Sequence, residues 1–178
     1  MTQDAVPSRN PWIKALPRTW REAHMRRFVK LLTGGTPDRS RAEYWNDGTI
    51  PWVASGEVNK KRISEVAAKI TERGLEESSA RWLPPGSVLV ALAGQGKTKG
   101  TAAILEIWAT CNQSLAALIP DESHLHSRFL CYYLESQYSN LRGMVGDEQR
   151  DGLSLTHLAG IWVPLPPIEL QRAIADFL

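Results

Sequence analysis

The sequence predicts an α+β fold, and three stretches carry that expectation. Residues 87–93 and 101–108 read as two strands joined by a glycine-rich loop. In the second strand, alternation puts Ala103, Leu105 and Ile107 on one face and Ile104, Glu106 and Trp108 on the other. Between residues 124 and 140, Leu125, Phe129, Leu130, Tyr133, Leu134 and Tyr138 recur at the spacing of one helix face, with Ser123 as the expected N-cap. A last helix opens with Pro167 at its first position and Glu169 in its first turn, and carries the apolar stripe Leu170, Ala173, Ile174, Phe177 and Leu178. A stripe of that kind is expected to pack on another helix.

The other elements follow in order. Residues 1–16 are polar and irregular, an N-terminal arm. Met25, Phe28, Val29 and Leu32 have helix-like spacing, and Gly34-Gly35-Thr36-Pro37 stops that segment. Asp47-Gly48 marks a turn into a short strand at 50–53. Trp20, Trp45 and Trp52, three of the seven tryptophans, crowd this region. Core packing, with indole N–H groups bonded to loop carbonyls, is their expected role, and base stacking is the alternative. Asn112-Gln113-Ser114 opens a strand at 115–119, with the two amides as loop anchors or as readers of adenine edges. Pro120 argues against a central place for that strand. Residues 141–151 read as a polar, glycine-punctuated loop, 153–155 as a short turn or helix, and 161–166 as a final strand.

A chain of 178 residues, 43% of them hydrophobic, can bury one substantial core, so one main domain is expected. The net charge of +2 conceals an asymmetry. Residues 1–100 hold 17 Lys+Arg against 10 Asp+Glu, net +7, whereas residues 101–178 hold 4 against 9, net −5. A basic first part facing an anionic partner would produce this split, as would chance segregation of solvated charges. Cys111 and Cys131 lack neighbours at metal-ligand spacing and are expected to be buried, reduced thiols. His124 and His126 have no third ligand nearby. No signal peptide or apolar run of bilayer length is present, which predicts a soluble, cytoplasmic protein.

The loop between the two strands, in the segment SVLVALAGQGKTKG, is the most informative feature. Residues Ala91 to Thr98 fit the loose form of a phosphate-cradling nucleotide loop, with Ala in place of the first glycine. Such a loop works by opening into a helix whose N–H groups face the phosphates. Here Gly100 and a strand-like run follow instead, so strand, cationic loop, strand is the preferred reading, and a P-loop nucleotide-binding protein is the alternative. Lys60-Lys61-Arg62 is the densest basic run and lies in the same positive half.

In their order, these motifs resemble one family: the specificity subunits of type I restriction-modification systems, in their target recognition domain. The resemblance rests on Leu16-Pro17 with Trp20, Gly34-Gly35-Thr36-Pro37, Tyr44-Trp45, Ile50-Pro51-Trp52, Gly86-Ser87-Val88-Leu89, Gly94 with the segment Gly96 to Gly100, Asn112-Gln113, Phe129-Leu130, and Pro164-Leu165-Pro166-Pro167 leading to Gln171 and Ile174. It implies a non-catalytic DNA-recognition domain with strands wound into an irregular sheet, helices flanking it, and the start of a conserved C-terminal spacer helix. It divides the chain into an arm at 1–16, a recognition domain at 17–167 and the helix start at 168–178. It also implies double-stranded DNA, methylation subunits and restriction subunits as partners. The cofactors, S-adenosylmethionine and ATP, would sit on those subunits and none on this chain. A full specificity subunit is similar to two such domains joined by two long helices, and this chain has one.

Residue chemistry suggests a division of labour. Lys60, Lys61, Arg62, Lys97 and Lys99, with Thr98 beside them, would meet phosphates, and loop glycines would let the backbone approach the duplex. Arg39, Arg41 and Gln95 are candidates for base reading, because Arg can bond a guanine edge and Gln an adenine edge bidentately. Leu170, Ile174, Phe177 and Leu178 would serve helix pairing, with a methylation subunit, a second recognition domain or a second copy.

Overall fold

The computed structural model describes residues 4–94, 96–145 and 152–178. Its chain begins with β1 (Ala5–Pro7) and β2 (Ala15–Pro17), which pair antiparallel, followed by β3 (Arg21–His24) and β4 (Val29–Thr33). The middle holds β5 (Ile50–Val53), β6 (Arg62–Ile63), β7 (Lys69–Ile70) and the single helical turn α1 (Glu72–Glu76). Next come β8 (Val88–Ala91), β9 (Ala102–Leu105), β10 (Thr110–Cys111) and β11 (Leu115–Pro120). The last part contains α2 (Ser127–Ser136), α3 (Tyr138–Gly143), α4 (Leu155–Ala159), β12 (Trp162–Leu165) and α5 (Ile168–Phe177).

The main sheet has five strands in the order β4-β11-β8-β9-β6, antiparallel except for the parallel pair β6 and β9. Two small sheets flank it: β10-β5-β7, and β12 with β3. The mixed α+β class expected from the sequence is the one observed. Strand alternation explains how the main sheet buries both faces. Val88, Val90, Ala102, Ile104, Ala116 and Leu118 face a core shared with Leu130 and Leu134 of α2 and Leu158 of α4. Leu89, Ala91, Ala103, Leu105, Leu115 and Ala117 face a second core built with Val53, Val58, Leu83 and Cys111. A third, small cluster gathers Ile50, Trp52, Ile70 and Ala80.

Several expectations change. Residues 25–33 are a 3₁₀ turn at Met25–Arg27 and a strand, not a helix. The 3.6-residue spacing of their apolar side chains misleads because β11 leaves an open edge, and β4 pairs with it from Val29 to Thr33, satisfying backbone groups of both strands. That makes β11 an interior strand, between β4 and β8, despite Pro120. Pro120 lies beyond Leu118, where pairing with β8 ends, so the missing N–H interrupts no ladder on that side. The expected helix at 124–140 divides at Gln137 (φ −97°, ψ 12°) into α2 and α3. Ser123 is not its cap; it bonds the Asp121 carboxylate, and Glu122 accepts the Ser127 N–H at 3.0 Å. Leu141 to Gly143, expected in a loop, complete α3, and residues 146–151 of that loop lie outside the described residues. Within the arm, Asn10 is buried and its amide donates to the Tyr133 hydroxyl and the Trp162 carbonyl.

The turn Gly34-Gly35-Thr36-Pro37 is wedged against backbone. A Cβ on Gly34 would sit 1.9 Å from the Cys111 carbonyl oxygen, and one on Gly35 would sit 2.4 Å from the Ala80 nitrogen. Trp52 locks the same turn by donating its indole N–H to the Gly35 carbonyl at 2.9 Å. Asn112 and Gln113 are anchors, accepting from the Ser114 N–H and the Thr36 hydroxyl respectively.

Leu118 is fully buried in β11, between β4 and β8. Leu118→Ala is expected to lower the unfolding free energy by about 2–5 kcal/mol, seen as a lower urea midpoint with an unchanged denaturant slope.

Candidate nucleic-acid interface

Strands β8 and β9 run antiparallel, with Val90 opposite Ala102, so the glycine-rich segment between them is a hairpin loop. The Ala91 N–H donates to the Thr101 carbonyl at 3.0 Å and the Gly100 N–H to the Ala91 carbonyl at 2.9 Å, closing the loop at its base. Gly94, Gly96 and Gly100 have φ of +146°, +62° and +83°, a conformation that L side chains rarely adopt, which explains why this turn is written in glycine. No helix starts at the lysines: the chain passes directly into β9, so the geometry a nucleotide loop needs is missing from residues 91–105 among those described.

Helix α3 straps the loop down. The Tyr138 hydroxyl donates to the Lys97 carbonyl at 2.8 Å, and Arg142 donates to the Lys99 carbonyl at 3.1 Å. The backbone at both lysines is therefore held, while neither ammonium takes part in an ion pair among the described residues, in contrast to the basic run upstream. Tyr138 belongs to the helix-face stripe read from the sequence. Its four-residue spacing from Arg142 was the signal for a pair of polar groups on one helix face.

The upstream run ends a 3₁₀ turn at Ser55–Lys60, where Lys61 takes a left-handed φ of +64° and directs Arg62 into β6. Lys60 pairs with Glu57 at 2.7 Å, Lys61 with Glu135 at 3.8 Å, and Arg62 with Glu106. In each pair the cation is exposed and its carboxylate half-buried. Lys61 and Lys97 line one open cleft of about 420 Å³ together with Asn59, Thr101, Glu135 and Tyr138. Asn59 lies 3.5 Å from the Thr98 hydroxyl at the edge of hydrogen-bond range. The structure thus brings Lys60 to Arg62 and Lys97 to Lys99 into one neighbourhood. Gln95 lies outside the described residues.

Arg39 and Arg41 belong to a second cluster, around the small core. Arg39 lies over the rings of Trp45 and Trp52, at 4.8 and 5.2 Å from their centroids. Arg41 bonds Glu43 at 2.8 Å, Glu77 at 3.1 Å and the Tyr44 hydroxyl, a network that leaves its fork occupied. The Tyr44 hydroxyl and the Arg73 guanidinium hold the Glu77 carboxyl down to about 2 from an ordinary 4.5. Both thiols are buried and free, with burial pushing Cys111 and Cys131 up to about 12. Among the described residues no group of three potential ligands could hold a metal, and no helix is long and apolar enough to cross a membrane.

At the C-terminal end, Gln171 is buried and makes three bonds: its amide donates to the carbonyls of His124 (3.0 Å) and Pro166 (2.9 Å), and its oxygen accepts from the His126 N–H (2.9 Å). Ile174 packs on the domain's own core. Leu170, Phe177 and Leu178 are 40%, 89% and 66% exposed.

The domain thus carries a glycine-rich cationic hairpin on a doubly covered sheet and a latched terminal helix. Residues 17–178 match the model of the type I restriction modification DNA specificity domain, and the chain belongs to that family. It is 26% identical over 152 residues to the EcoR124I/EcoR124II type I restriction enzyme specificity subunit of Escherichia coli, covering 84% of this chain and 37% of the relative. It is 27% identical over 171 residues to the MjaIX type I restriction enzyme specificity subunit of Methanocaldococcus jannaschii, covering 93% of this chain and 38% of the relative. The chain therefore spans less than two fifths of the length of either. In fold it is similar to the HsdS subunit from Thermoanaerobacter tengcongensis (TM-score 0.67, 22% identity, 95% of this chain and 38% of that one). It is also similar to a chain from a solved type I R-M system (TM-score 0.71, 23% identity, 94% of this chain and 39% of that one).

The Glu77 carboxylate, with its depressed pKa, contributes stability that is complete above its unfolded value of 4.5 and is lost as pH falls toward about 2. Glu77→Gln is expected to unfold at a lower urea midpoint than the parent at about pH 6, with the gap closing between 4.5 and about 2.

Proposed function

We propose that this chain is a DNA-reading module that performs no chemistry itself, acting as a target recognition domain of a type I specificity subunit. The observation that carries this reading is the β8–β9 hairpin: Lys97 and Lys99 are held through their carbonyls, and their ammonium groups are left for an anion outside the chain. Lys60, Lys61 and Arg62 extend the cationic surface, and Thr98 adds a hydroxyl donor. The cation is the exposed member of each pair, so a DNA phosphate can approach it from the open side while the half-buried carboxylate stays beside it. Gln95 and Arg39 carry side chains suited to base edges. Arg41, whose donors are engaged by Glu43, Glu77 and Tyr44, acts mainly in holding its own loop.

In this reading the domain delivers methylation and restriction subunits to their site, and those subunits supply the S-adenosylmethionine and ATP chemistry. The exposed Leu170, Phe177 and Leu178 offer the apolar edge for helix pairing with a methylation subunit or a second recognition domain. Ile174 contributes by fixing α5 to the core.

The double variant Lys97→Ala with Lys99→Ala is expected to weaken binding to every duplex. The slope of log affinity against log salt should fall by roughly one unit for each phosphate that the variant no longer neutralises. Fluorescence anisotropy across a salt series measures this, and an unchanged slope takes the hairpin off the DNA surface. Mapping methylated adenines in cells that co-express the chain with a matching methylation subunit is expected to return a single gapped motif.

A further inference from the structure

The geometry points to Arg39 as the residue that reads a guanine in the target, presented from a preformed aromatic seat. This rests on the DNA-reading function proposed above. The seat is built before any DNA arrives. Trp45 and Trp52 meet edge to face, with ring centroids 5.2 Å apart and planes at 87°, and the Arg39 guanidinium lies over both. Each indole is fixed at its nitrogen: Trp52 donates to the Gly35 carbonyl at 2.9 Å and Trp45 to the Asp38 carbonyl at 3.1 Å. The neighbouring carboxylate is turned elsewhere. Asp38 accepts from the Ser40 N–H at 2.9 Å and the Ser40 hydroxyl at 2.7 Å, and these two bonds hold its carboxyl below the usual range.

Arg39 is exposed and makes no ion pair among the described residues, whereas Arg41, two positions on, has both Glu43 and Glu77. A guanidinium held against two aromatic rings has less freedom to lose on binding, and one that is exposed keeps donors available to a partner. A fork of parallel donors matches O6 and N7 of guanine, and no other base offers two acceptors at that spacing in the major groove. A lone phosphate contact would need only a point charge, which the hairpin lysines already provide.

Duplex selection from a random-sequence pool, with the chain, Arg39→Met and Arg39→Gln run in parallel, tests this. Methionine keeps the length and apolar cover over the two indoles but has no donor, and glutamine matches adenine. The parent is expected to enrich a motif with a fixed guanine. Arg39→Met should leave that single position degenerate and lower affinity for the parent motif by about tenfold or more, and Arg39→Gln should move the position toward adenine. If either folded variant keeps the parent motif, Arg39 only covers the tryptophans and the assignment is overturned, with DNA reading intact. A uniform loss on all duplexes with a shallower salt slope also overturns it, in favour of a phosphate contact. A parent chain that enriches no motif removes the DNA-reading function itself, and Arg39 with it.

Discussion

The main sheet is covered on both faces, and that constraint decides where this domain can carry charge. Four consecutive residues of β8 and four of β9 are buried, as are the first four of β11. An unpaired charge inside either core would cost several kcal/mol, on the order of a large part of a domain's net stability. Charge is therefore kept off β8, β9 and the buried part of β11, and the β8–β9 connection combines two lysines with a backbone that turns sharply. Fold and candidate site are in this sense one problem: the tighter the sheet is buried, the more completely polar function is displaced to the hairpin.

Much of this was legible in the sequence, for a physical reason. Alternation in residues 101–108 correctly separated Ala103 and Leu105 from Ile104, because each face meets a different core. The glycine spacing revealed a hairpin and not a nucleotide loop, because glycine at a required positive φ is a local property. Pairing is not local. Nothing within residues 25–33 announces that β11 needs a neighbour, so apolar spacing suggested a helix where the open sheet edge made a strand. The same holds for Pro120, whose tolerance depends on how far β8 extends beside it. Capping of α2 was missed for a third reason: the helix begins only at Ser127, and the N–H and hydroxyl of Ser123 both donate to the Asp121 carboxylate.

The candidate site divides in the same way. Residue type identified its cations, but only the fold distinguishes engaged from unengaged ones. Arg39 and Arg41 look equivalent in sequence, yet one lies on two indoles and the other is held by two carboxylates. Tyr138 and Arg142 went unrecognised because their four-residue spacing marks a shared helix face but not the loop carbonyls that they bond. They link the hairpin to α3, so the proposed contact surface inherits its rigidity from the helical layer.

Gln171 gives the last helix something rarer than an attachment, namely a fixed azimuth. Three bonds to one side-chain amide leave α5 no freedom to roll about its axis, and the bearing of Leu170 and Phe177 around that axis is therefore set by the recognition domain itself. One residue added or removed between Gln171 and Phe177 would swing Phe177 by about 100° relative to that anchor. Angular phase, and not only distance, is thus transmitted from the core of the domain to the outer edge of α5.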